Sequence, residues 1–159
     1  MSNNFLEIID ATFVASKTNK VNKVNLAIEK KPNESKFWYN KSNVHKRLKD
    51  NISCLNCLNK SIELNPKNVQ ALNNKSSILE EIGELEEAII LMDECLKIEF
   101  CNPLYHYNKG AILSRLGNLS LAQKSLNKAI ELNPNHHQAK WNLSNCQLLL
   151  GNFKEGFEN

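Results

Sequence analysis

The chain has 159 residues, 42% of them hydrophobic, and its 20 basic residues are nearly balanced by 17 acidic ones, for a net charge of +3. This fits one folded domain or a short repeat array, excludes a wholly disordered chain, and lacks the dominant basic stripe of a nucleic-acid-binding surface. No apolar run approaches the roughly 18–20 residues needed to span a bilayer, the N-terminus has no basic region followed by an apolar stretch, and five cysteines without a secretory signal point to reduced thiols in the cytoplasm.

In chain order, a first helix is expected from about Phe5 to Val14, and a second ends at Ala27-Ile28-Glu29 before Pro32. From Pro32 onward one text recurs every 34 residues. Pro32, Pro66 and Pro134 share a column whose missing slot holds Phe100, and Lys60-Ser61-Ile62-Glu63-Leu64-Asn65-Pro66 is nearly repeated as Lys128-Ala129-Ile130-Glu131-Leu132-Asn133-Pro134. Further columns are Asn40, Asn74, Asn108 and Asn142; Ser42, Ser76, Gly110 and Ser144; and Gly83, Gly117 and Gly151, with Lys49-Asp50 in the slot before them. Independent columns agreeing on one period identify a repeat array.

Each period reads as two helices. In the third copy, Tyr105, Tyr107, Ile112 and Leu113 start one apolar face, and Gly117-Asn118 supplies a left-handed stop. A second helix is expected from about Leu119 to Leu132, with Leu121, Ala122, Leu126, Ala129 and Ile130 on one side. Asn133-Pro134 ends it, because proline disfavours helix in the residue before it. Small residues at Cys54, Ala88 and Ala122, and again at Ser61, Cys95 and Ala129, let neighbouring helices approach closely. Trp141 to Leu150 reads as one more helix, and a last one, starting at Phe153, is cut short at Asn159.

At Trp38-Tyr39-Asn40, Gly110, Gly117, Ala122, Ala129 and Pro134 the chain resembles the tetratricopeptide repeat family. The resemblance implies an all-α solenoid of helical hairpins wound as a right-handed superhelix. Its expected parts are a degenerate N-terminal hairpin at 1–34, repeats at 35–68, 69–102 and 103–136, and a partial repeat or capping helix at 137–159. The segment from Leu148 to Glu158 is also similar to the junction in some bacterial tetratricopeptide proteins that a glycosyltransferase-like domain follows.

The family's first helices line a concave groove, so Asn40, Asn74, Asn108 and Asn142 are expected along one inner surface. A side-chain amide both donates and accepts, and can read an extended peptide's backbone whatever its sequence; such a column is similar to the asparagine ladder of O-linked N-acetylglucosamine transferases. The alternative is that each amide bonds its own repeat's backbone. Tyr39, Tyr107 and Trp141, each just before a ladder asparagine, are candidate apolar anchors, with Asn73 interrupting the stripe. Asn43 and Asn74 match two asparagines of the family's carboxylate clamp, but Tyr39, Leu104 and Asn108 stand where its cations are needed.

The remaining features read as structural. Cys54-Leu55-Asn56-Cys57 falls inside a helix and in a small-residue column, so its thiols are expected to be buried, and zinc would need four ligands. His136-His137 starts a helix at the surface, without an acidic or thiol partner at ligand spacing. Lys41, Lys75 and Lys109 form a solvated face with stems packed on the neighbouring helix, and the glutamates from Glu80 to Glu87 frame the turn at Gly83. No nucleophile–base pair, phosphate loop or pair of catalytic acids is present. The reading is a non-enzymatic, cytoplasmic scaffold that needs no cofactor or metal and takes a protein or peptide ligand rather than nucleic acid or membrane. Two alternatives are the substrate-presenting arm of a larger glycosyltransferase-type protein and a module that self-associates through its apolar C-terminal end.

Overall fold

The computed structural model describes residues 21–151, and these contain helices and no strand. The expected helices at Phe5–Val14 and from Phe153 lie outside the described residues. The order is α1 (21–30), α2 (Ser35–Arg47), α3 (Asn51–Leu64), α4 (Val69–Ile82), α5 (Leu85–Ile98), α6 (Pro103–Arg115), α7 (Leu119–Leu132) and α8 (His137–Leu149). None of the described helices is long and apolar enough to cross a membrane. Two compact units divide between Ala71 and Leu72, inside the first turn of α4.

In the first unit α2 packs along α3. Leu58 and Cys54 are fully enclosed, and Cys57 is 5% exposed. The Cys54 thiol donates to the Ser42 carbonyl at 3.2 Å. Burial pushes the Cys54 thiol up to about 11 and also raises Cys57, so both stay protonated at neutral pH and behave as small core groups. At the start of α2 its contact with α3 is polar. Ser35 Oγ donates to the Ser61 carbonyl at 2.8 Å, Ser61 Oγ donates to the Ser35 carbonyl at 3.0 Å, and the Asn68 amide reaches both hydroxyls. The carbonyl oxygen of Asn68 caps α4 by accepting from the Ala71 amide at 3.2 Å.

In the second unit α5, α6, α7 and α8 pack in sequence, and the hydroxyl of Ser76 on α4 donates to the Ala88 carbonyl at 2.9 Å. One core cluster joins Leu113, Ala122, Leu126, Ala129, Ala139, Leu143 and Cys146. Leu121, expected on this face, is 51% exposed; the seam runs through 119, 122, 126 and 129, and a residue one place before 122 is turned about 100° away from it. A Cβ on Gly110 would lie 2.7 Å from Leu126 Cγ, so α6 and α7 pack here at a separation that only glycine fits without a shift.

The turns share one device. The amides of Asp50, Glu84 and Asn118 each donate to the carbonyl five residues back, at His45, Leu79 and Leu113, which closes the helix end around a left-handed residue. Gly83 and Gly117 occupy that position with φ of 93° and 83°, and Lys49 occupies it with φ of 57°. At the other end of each hairpin, Asn65 and Asn133 accept from the amides of Lys67 and Asn135, the side-chain turn that explains the two Asn-Pro pairs.

Candidate functional site

Within the second unit the first helices α4, α6 and α8 form an open groove of about 660 Å³. Helical spacing sets its lining. Tyr107, Ala111 and Ser114 follow one another at intervals of four and three along α6, with Arg115 adjacent, and Trp141, Asn145 and Leu148 do so along α8, with Asn142 and Leu149 beside them. At the rim Arg115 Nη1 donates to both the carbonyl and the carboxylate of Glu80, at 2.9 and 3.0 Å. The two charges among the described lining residues therefore answer each other, and the other described lining residues are amide, hydroxyl, aromatic and aliphatic.

Among the residues singled out in the sequence, Tyr107, Trp141 and Asn142 line this groove. Trp141 is 68% exposed, a large apolar ring held out from a helix that buries Ala139, Leu143 and Cys146 on its other side. Tyr107 is half-buried and rests on the His136 ring, with centroids 4.6 Å apart. His136 is more than a surface residue. Its Nδ1 caps α8 by accepting from the Ala139 amide at 3.4 Å, the role Asn68 plays two periods earlier.

Asn74 and Asn108 are half-buried and lie outside the groove lining. Asn108 Nδ2 donates to Asn73 Oδ1 at 2.9 Å. The residue that interrupts the aromatic stripe thus partners the ladder asparagine of the next copy, an arrangement neither of the two sequence readings contains. In the first unit Asn40 is exposed, while Tyr39 and Asn43 are half-buried; the Tyr39 carbonyl accepts from Ser42 Oγ at 2.6 Å. Trp38 is committed to the hairpin, its indole N–H donating to the Pro32 carbonyl at 2.8 Å.

The sequence reading missed Asn145 and the Glu80–Arg115 pair. Asn145 stands three periods after Asn43, so following that column would have found it. The ion pair joins residues 35 apart, off the period, and no column signals it. Lys75 and Lys109 are half-buried and paired, with Glu87 at 3.4 Å and with Asp93 respectively. Burial pushes the Cys95 thiol up to about 12, and Cys101 alone of the five thiols is exposed. No cluster of metal-ligating side chains occurs among the described residues.

Tetratricopeptide repeat family models match residues 35–68, 57–90 and 103–136, together more than half of the chain. No curated protein matches the sequence. Among solved structures, MamA from Desulfovibrio magneticus RS-1 is similar at 15% identity and a TM-score of 0.84, over 94% of this chain and 84% of that one. YrrB, described as a TPR protein with an unusual peptide-binding site, is similar at 22% identity and 0.76, over 85% and 70%. The first TPR of Spaghetti (RPAP3), bound to an HSP90 peptide, is similar at 19% and 0.72, over 74% and 94%. These likenesses agree with the hairpin fold, and with the three family matches they show that the chain belongs to the tetratricopeptide repeat family.

Proposed function

We propose that this protein is a non-catalytic interaction scaffold of the cytoplasm, and that the groove on α4, α6 and α8 holds an extended peptide or partner segment. The observation that carries the reading is Trp141, a largely exposed indole beside Asn142 and Asn145 in a groove whose charges, among the described residues, are paired with each other. An exposed aromatic on a rigid helix loses little conformational freedom on binding and gives a large apolar contact. The neighbouring amides supply donors and acceptors for a peptide backbone, each hydrogen bond contributing about 0.5–1.5 kcal/mol. Within the same unit Asn74 and Asn108, which lie outside the groove lining, continue the column of Asn142 and extend that backbone reading. Asn108 keeps a carbonyl oxygen and a second amide hydrogen beyond its bond to Asn73. The peptide-bound and peptide-binding relatives of the same fold support a peptide as the class of ligand.

The test is a selection from a random peptide display library, followed by affinity measurements on variants. Trp141→Ala is expected to weaken the selected peptides by about tenfold or more, and Asn74→Ala with Asn108→Ala by a few-fold. Peptides that bind with no loss in Trp141→Ala overturn the groove reading, and no effect of the asparagine pair overturns the ladder. Exposed Leu149 and Leu150 favour a second reading, self-association through this end; a strict monomer by light scattering at high concentration removes it.

A further inference from the structure

A second cleft of the 72–151 unit lies on the side built by the second helices, where α5 and α7 flank α6, and has a volume of about 550 Å³. Its chemistry is unlike that of the groove. Four of its nine lining residues are lysines, Lys97, Lys109, Lys124 and Lys128, and one is an acid, Asp93. Asp93 is taken up by Lys109, and Lys128 is held by Glu131 at 2.7 Å. Lys97 and Lys124 have no carboxylate partner among the described residues, so the cleft has an unanswered positive charge.

Beside these cations stands Phe100, 64% exposed in the slot where the period places proline. It is fixed there. His106 is buried, its Nε2 donates to the Phe100 carbonyl at 2.8 Å, and the two rings meet edge to face at 5.9 Å. A large apolar ring held in solvent beside unpaired ammonium groups presents two complementary features to one ligand.

We propose that this cleft docks an acidic segment of a partner protein, with carboxylates meeting Lys97 and Lys124 and one large apolar side chain resting on Phe100 and Leu96. Charge complementarity names the occupant, because a cleft with surplus lysines steers and holds carboxylates. The cleft has the dimensions of a few side chains. Its single exposed aromatic ring and its acidic lining residue set it apart from a stacking platform for single-stranded nucleic acid. The surface shares no residue with the groove of α4, α6 and α8, so the protein would hold two segments at once.

The same display selection, run at low ionic strength, tests it. The expected result is a class of peptides rich in aspartate and glutamate with an interspersed large apolar residue. Lys97→Glu with Lys124→Glu is expected to weaken these peptides roughly tenfold or more, and added salt to weaken them in the unmodified protein. Phe100→Ser should cost several-fold, whereas Trp141→Ala should leave them unaffected, which separates this proposal from the groove reading. Both lysines are exposed and have no carboxylate partner among the described residues, so an unchanged melting curve is expected and shows that the double variant is folded. The proposal is overturned if no acidic class is enriched or if the double lysine variant binds that class as well as the parent. It is also overturned if a single-stranded oligonucleotide of equal charge displaces the peptides at lower concentration than free acidic peptide does.

Discussion

The hairpin of α2 and α3 and the hairpin of α6 and α7 stand two periods apart and solve the same packing problem with different chemistry. In both, a helix must come close to its partner at two fixed columns. The later hairpin uses absence: Gly110 has no Cβ to meet Leu126, and Ala122 and Ala129 are fully buried methyl groups. The earlier one uses small polar groups that each have a partner: the Ser42 hydroxyl donates to the Tyr39 carbonyl, the Cys54 thiol donates to the Ser42 carbonyl, and Ser35 and Ser61 exchange hydrogen bonds under the amide of Asn68. The column demands small size and full satisfaction of polar atoms, not one residue type. Buried hydroxyls are tolerated here because each has a partner, and an unpaired one would cost about 1–3 kcal/mol. The turns differ in the same manner, with glycine at Gly117 and a strained lysine at Lys49.

The largest contrast should come from adding one methyl group. Gly110→Ala forces a Cβ against Leu126 Cγ and is expected to cost about 1–3 kcal/mol by overpacking. Ser42→Ala at the matching position loses only a short local bond to the Tyr39 carbonyl, about 1 kcal/mol or less. Chemical denaturation of both variants checks the order, and equal losses would break the distinction between the two hairpins.

Next in size is Asn68→Ala, expected to cost about 1–2 kcal/mol by removing both the cap of α4 and the amide over Ser35 and Ser61. His136→Ala at the matching position removes a single long cap bond and should cost less. Thermal melts of the two variants decide it.

The turns predict a change of sign. Lys49→Gly should stabilise the protein by about 0.5–1 kcal/mol, since glycine reaches the left-handed region without a steric penalty, whereas Gly117→Lys should destabilise it by about 1 kcal/mol.

The smallest effect is that of Asp50, the cap of α3. The hydroxyl and amide of Ser53 donate to its carboxylate and hold it below its ordinary value of 3.8. A carboxyl lowered in the folded state stabilises fully above that ordinary value, and this contribution fades as pH falls through the lowered folded value. Asp50→Asn should therefore flatten slightly the acid limb of the melting temperature below about pH 4. An unchanged acid limb would show that the cap is made equally well by the neutral acid.

Most of the fold was legible because its signals are periodic. The bounds of α7, the turns at Gly83 and Gly117 and the burial of Cys54 and Cys57 follow from columns and helical spacing. The turn at Lys49 shows that the period carries the backbone shape even where the residue does not favour it. Legibility ends where partners cross between columns. The Asn108–Asn73 bond and the Glu80–Arg115 pair each join residues 35 apart, and the exposure of Leu121 depends on a seam one residue away. The lysine cleft was hidden for the same reason. Lys97, Lys109, Lys124 and Lys128 come from three helices, and no linear pattern gathers them.

A peptide seated in the groove must cover the exposed indole of Trp141. The chain has two tryptophans, so Trp38→Phe leaves Trp141 as the sole reporter. Titrating this variant, with Lys97→Glu and Lys124→Glu added to silence the lysine cleft, with the display-selected neutral peptides should shift the Trp141 emission to the blue and shield it from a soluble quencher, saturating with the binding isotherm. Saturable binding of those peptides with unchanged emission and quenching would contradict the account.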